Sequence, residues 1–279
     1  MQNGTRHTIS VELRHSFPVT RQARLSIETE KFMDEKIQVY HYVSKLVCGG
    51  IETLVVNIFK NINRNKINFN FILISEKRYF YDDLVDELGG RKCIIQHESN
   101  IFKPIRLVQR WINLYRFVRV ENAEIIHFHA PSPIMAIEAC FAKLAGAKII
   151  IIHSHSSQPI SYPKTKLIIA IFCRHFLVPY VANYYFACSE LAAKWMFPEQ
   201  TIKKNGVHVI KNAIDIKKFI FSQSLREKVR RENHFSDKFI IGHIGRFVYQ
   251  KNHDFLIDIF VELHKQNPNT VLLLFGEGD

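Results

Sequence analysis

The chain has little that would cross-link it or anchor it. Its five cysteines, Cys48, Cys93, Cys140, Cys173 and Cys188, make no C-x-x-C pair. Most sit within apolar segments, as buried free thiols do, which fits a reducing cytosol. No leading stretch resembles a secretory signal. The most hydrophobic run, LIIAIFCRHFLV at Leu167–Val178, is broken by Arg174 and His175, short of the roughly 20 apolar residues that span a bilayer. Negative charge is also sparse. Against 38 lysines and arginines stand 26 acidic residues, a formal net charge of +12, so the favoured partners are acidic: nucleic acid, an anionic membrane or a phosphorylated small molecule. The basic residues are scattered over helices and not interleaved with stacking aromatics, which argues against nucleic acid.

The 279 residues, 47% of them hydrophobic, suffice for one large domain or two modest ones. Residues 1–32 show neither helical nor strand periodicity and are expected to form a poorly structured extension, or to precede a physiological start at Met33. From Lys36 the pattern alternates. KIQVYHYV (Lys36–Val43), FNFILIS (Phe69–Ser75), CIIQH, EIIHFHA and KIIIIHSHS read as strands. Between them GGIETLVVNIFKNI, YFYDDLVDELG, IRLVQRWINLYRFVRVE and IMAIEACFAKLAG read as helices. Strands alternating with helices of this length indicate βαβ units and a parallel sheet covered on both faces. After the charged helix SLREKVRREN the pattern restarts with FIIGHIGRF, a helix and VLLLFGEGD, the beginning of a second α/β unit.

In open parallel sheets ligands bind beyond the carboxyl ends of the strands. Four such ends carry polar residues or glycines. Gly49 and Gly50 follow the first strand and open a helix that shows no proline or charge at its start, so their N–H groups could face an anion; a tight strand-to-helix turn explains them equally well. His127 and His129, then His153 and His155, are His-x-His pairs at the ends of apolar strands. Residues i and i+2 of a strand share a face. These histidines allow three readings: a zinc site, hydrogen-bonded strand ends, or donors to a sugar hydroxyl or phosphate. With no carboxylate or cysteine beside them, the metal reading is set aside and substrate contact preferred. Arg246 and Lys251, in GRFVYQKNH, lead into a helix; they read as a diphosphate clamp or as a solvated basic loop. The helix around Ile105–Val120 mixes Arg106, Arg110, Arg116 and Arg119 with Trp111, Leu114 and Phe117, and fits either an anionic lipid surface or ordinary packing on the sheet.

In order, GGIETLVVNIFKNI, EIIHFHA, IIHSHS, FACSELAAKWMF, VIKNAIDIKKF and IGHIGRFVYQKNHDFLIDIF…LLLFGEGD resemble glycosyltransferase family 4, in particular bacterial enzymes of exopolysaccharide and capsule assembly. The resemblance runs from about Lys36 to the last residue. It implies a GT-B fold: an N-terminal, acceptor-side Rossmann-like domain (33–206), a linker and helix (207–235), and an incomplete C-terminal donor domain (236–279). It also implies transfer of a sugar, with retention at the anomeric carbon, from a nucleotide-diphosphate-sugar to a glycan or lipid-linked acceptor, with no metal and no cofactor. By resemblance Gly49 and Gly50 lie near the donor diphosphate, His129 near the transferred sugar, and Arg246 and Lys251 neutralise the leaving diphosphate. His153, His155 and Ser156 line the acceptor side. Asn212 and Asp215 match an inter-domain motif in which Ala213 replaces the usual glycine. The expected location is the cytoplasm, with contact at the inner membrane face. The family's Glu-x7-Glu motif has no counterpart before Asp279. The alternative expectation is therefore a truncated, inactive remnant that retains nucleotide-sugar or partner binding.

Overall fold

The computed structural model describes residues 36–96, 102–157 and 162–278. The expected extension and the proposed start at Met33 lie outside them. Seven strands, β1 (Ile37–Ser44), β2 (Ile67–Leu73), β3 (Arg91–Ile94), β4 (Ile125–Ala130), β5 (Ile149–Ser154), β6 (Tyr184–Ala187) and β7 (His208–Val209), form one sheet in the order β3-β2-β1-β4-β5-β6-β7. Every neighbouring pair is parallel, so each connection must cross over the sheet, and helices do this. The strand order reverses between β1 and β4, where ligands bind in sheets of this kind.

Alternation along the strands sorts the side chains onto two faces. Tyr40, Tyr42, Ile126, Phe128, Ile150 and Ile152 pack on one face against Leu114 and Val118 of α3 (Lys103–Glu121) and the small Ala136, Ala139 and Ala142 of α4 (Ala136–Leu144). On the other, Phe69, Phe71 and Leu73 pack against Val55, Val56 and Phe59 of α1 (Gly50–Asn61) and Val85 of α2 (Asp82–Glu87). The helix α5 (Lys164–Phe172) passes through a π-helical turn at Cys173–Leu177 into α6 (Val178–Val181). Pro179, which has no N–H to give the preceding turn, accounts for that widening. Then come α7 (Glu190–Met196), capped by the Ser189 hydroxyl accepting from the Ala192 amide, and α8 (Glu199–Asn205), which strand–helix alternation did not single out.

The outer face of α3 leaves Ile105, Leu107, Val108, Ile112 and Tyr115 exposed beside Arg106, Arg116 and Arg119. Its inner face packs, with Trp111 stacked on Phe141. Among the described residues no helix is long and apolar enough to cross a membrane.

A separate parallel pair, β8 (Phe239–Ile244) and β9 (Thr270–Phe275), is joined by α10 (His253–Gln266) and preceded by α9 (Gln223–Glu232). Its strand ends meet backbone to backbone. The Gly245 amide donates to Phe275 O and the Phe247 amide to Glu277 O. A Cβ at Gly276 would stand 1.9 Å from the Gly245 carbonyl oxygen, so the glycine is there for close approach.

Candidate functional site

Where β1, β4 and β5 lie side by side, the face opposite α3 and α4 changes from apolar side chains to imidazoles. Register pairs His41 with His127 and His129 with His153. The odd-numbered positions of β4 and the end of β5 therefore bring His41, His127, His129, His153 and His155 to one surface. The rings touch in sequence: His127 and His129 stack with centroids 4.2 Å apart, and His153 and His155 approach to 4.0 Å. Phe69 stacks on His41 at 3.5 Å, and Phe186 meets His127 and His153 edge-on.

Hydrogen bonds thread part of this group. His129 Nε2 lies 3.0 Å from His41 Nδ1, and His129 Nδ1 lies 3.0 Å from His155 Nε2. Both nitrogens of His129 are thus engaged by other imidazoles, and one ring of each pair must donate while the other accepts. His127 Nε2, both nitrogens of His153 and His155 Nδ1 are buried without a partner. Burial, reinforced for all but His155 by neighbouring imidazoles, disfavours the charged form. It pulls His127 down to about 3, His153 to about 2 and His155 to about 4, with His41 and His129 also well below 6.5. The rings are neutral at physiological pH.

Depth separates the expected roles. His129 is 2% exposed and His153 is 0% exposed, whereas His155 and Ser156 are half-buried. His153 therefore lies beneath the site and does not line an acceptor surface, because the β4–β5 register tucks it under its neighbours. His155 covers His129. Sequence reasoning missed His41: a lone histidine among aromatic strand residues carries no signal until the β1–β4 register sets it against His129.

At the glycine loop the structure corrects one reading. Gly49 caps α1 with φ −130° and ψ 166°, an extended conformation open to any residue, so left-handed backbone freedom is not its reason. The helix opening is not charge-free either. Glu52 lies in the first turn, and a Cβ on Gly49 would fall 2.4 Å from Glu52 Oε2. The carboxylate folds back over the helix start, which favours negative charge there. Burial raises its pKa, offset by a backbone hydrogen bond and by the charge of Arg246. The charge of Arg246, on the loop after β8, is thus felt at the helix start that follows β1. The Lys251 side chain lies across Gly245, its Cε and Cδ 3.1 and 3.2 Å from where a Cβ would stand, which brings its ammonium to the strand end that carries Arg246. Both cations are exposed, and among the described residues neither forms an ion pair. The expected linker motif ties back to α1, where Asn57 Nδ2 donates to Ala213 O at 3.1 Å, and Asp215 caps the 3-10 turn Ile216–Phe219.

Two family models match this chain: glycosyltransferase family 4 over residues 48–218 and glycosyl transferases group 1 over residues 225–279. The chain belongs to glycosyltransferase family 4. This family 4 chain is 29% identical over 247 residues to EpsF of Bacillus subtilis (strain 168), a protein named as a glycosyltransferase; the match covers 86% of this chain and 62% of that one. It spans less than two thirds of that relative's length. Among solved structures, Anabaena HepE in complex with UDP-glucose superposes with a TM-score of 0.64 at 16% identity, covering 86% of this chain and 61% of HepE. A Rickettsia africae glycosyltransferase gives 0.58 at 13% identity, covering 86% and 69%. Likeness at this level carries the fold, an α/β GT-B architecture.

Proposed function

We propose that this family 4 chain serves a retaining glycosyltransferase that moves a sugar from a nucleotide-diphosphate-sugar to a glycan or lipid-linked acceptor in bacterial surface polysaccharide synthesis. The observation that supports this most directly is that the charge of Arg246 is felt at Glu52 in the first turn of α1, beside Gly49 and Gly50. As the sugar leaves, negative charge grows on the diphosphate. Fixed cations and backbone N–H groups stabilise that charge without a metal. The guanidinium offers a fork and the ammonium a point charge. Glu52, folded back against Gly49 at this helix start, gives way to the diphosphate. His155 meets the sugar first, and its turning aside frees Nδ1 of His129 to donate to a hydroxyl. His155 and Ser156 face the acceptor. The exposed apolar and basic face of α3 suits the cytoplasmic surface of an anionic membrane, where a lipid-linked acceptor would lie.

The decisive experiment is calorimetric titration of UDP-glucose and a GDP-sugar into wild type and Arg246→Ala. The expected result is binding of one donor, weakened at least about tenfold in the variant, the loss of a charge-assisted hydrogen bond or two. No binding by folded wild-type protein would sink the donor site. Binding without sugar transfer to any acceptor would favour the alternative, a nucleotide-sugar binder that does not catalyse.

A further inference from the structure

Three of the clustered imidazoles, His129, His153 and His155, present one ligand nitrogen each, all within 4.8 Å of one another. We propose that they form a binding site for a divalent late transition metal such as zinc, with the fourth position open to water. Imidazole nitrogens suit such ions. Tetrahedral zinc at about 2.0–2.1 Å from each nitrogen places ligand atoms roughly 3.3 Å apart. The His129 Nδ1 to His155 Nε2 separation of 3.0 Å is already near that value, so small ring rotations suffice.

Two further observations point to a ligand. Both nitrogens of the wholly buried His153 have no partner, and a metal bond would satisfy one of them. His129 is also oriented from behind. With Nδ1 given to the metal, its Nε2–H donates to His41 Nδ1 at 3.0 Å, the outer-shell hydrogen bond that fixes the tautomer of metal-bound histidine. A second triad, His41, His127 and His129, also meets the distance criterion, but all three members are buried and it lacks an entrance. The outer triad has one, because His155 is half-buried at the strand end.

The metal would act as a competitor and not as a cofactor. A metal on Nδ1 of His129 occupies the atom assigned above to the sugar, so zinc should inhibit transfer and a chelator restore it. That consequence rests on the proposed function; binding of the metal does not.

The test is calorimetric titration of zinc alone into chelator-treated protein, with cobalt as a spectroscopic substitute, on wild type, His155→Gln, His153→Ala and the surface control His208→Ala. Expected are one equivalent bound, the intense visible absorption of tetrahedral cobalt, at least a tenfold loss of affinity in His155→Gln and His153→Ala, and none in His208→Ala. X-ray absorption on the zinc-loaded wild type should count three imidazoles, which needs no variant to fold. No stoichiometric binding, fewer than three imidazoles, or binding unchanged in a folded His155→Gln would overturn the site. Protein that binds zinc but no donor sugar would leave the site standing and remove the transfer reading.

Discussion

At the scale of residues, four buried imidazoles and the half-buried His155, all neutral, make folding sensitive to acid. Each ring takes up a proton near 6.5 once unfolded, but in the fold His155 stays neutral to about 4, His127 to about 3 and His153 to about 2. The unfolded state therefore binds more protons throughout that interval, and stability falls as pH drops below 6.5. Each ring contributes up to about 1.4 kcal/mol per pH unit. The thermal midpoint is expected to decline steeply between pH 7 and 5, and less steeply in His155→Gln. A midpoint flat over that range would show that the rings are not held neutral by burial.

At the scale of elements, α3 and α4 are joined by a part-buried ion pair, Arg110 Nη2 to Glu138 Oε1 at 2.6 Å. Glu138 is 5% exposed. Burial raises its pKa, and the charge and hydrogen bond of Arg110 hold it partly down. Removing the cation leaves the buried Glu138 carboxyl unpaired, a change that costs up to about 3 kcal/mol where one partner of the pair is partly solvated. Arg110→Ala should lower the urea midpoint accordingly. The double variant Arg110→Met, Glu138→Leu should recover most of the loss, since similar apolar volume replaces both charges. An Arg110→Ala midpoint close to wild type would place the pair on the surface. The same helix was readable as a membrane-facing amphipath. The structure shows why that pattern was ambiguous: Leu114 and Val118 are buried, while other apolar residues on its far side are exposed.

At the scale of the whole molecule, the core is unevenly shared. Both apolar clusters lie in the seven-stranded sheet and its helices. Among the described residues after His208, Thr270 alone is buried. Phe239, Phe255 and Phe275 are 61%, 59% and 54% exposed, so β8, β9 and α10 hold together through one parallel pairing and little burial. Local stability follows buried contacts. Amide hydrogens of β8 and β9 should exchange much faster than those of β1, β4 and β5, measured by mass spectrometry on the same sample. Equal protection would mean that this unit is covered in solution, and addition of a nucleotide sugar that slowed its exchange would identify the donor as one source of order.

Much of this was determined by the sequence alone. Apolar runs alternating with helices predicted the parallel sheet and its restart at Phe239, because continuous apolar strands between helices mark a sheet covered on both faces. The same logic put His127 with His129 and His153 with His155 on shared faces, and Arg246 and Lys251 on a loop at a strand end. What the sequence could not supply was register and depth. Register between β1 and β4 joins residues far apart in the chain, and it alone made His41 a member of the cluster. Depth put His153 beneath the site and His155 over His129, since burial is fixed by what packs above a strand and not by the strand itself. The fold of Glu52 back over its own helix start was likewise decided in three dimensions, where Gly49 leaves room for a carboxylate and the dipole favours it.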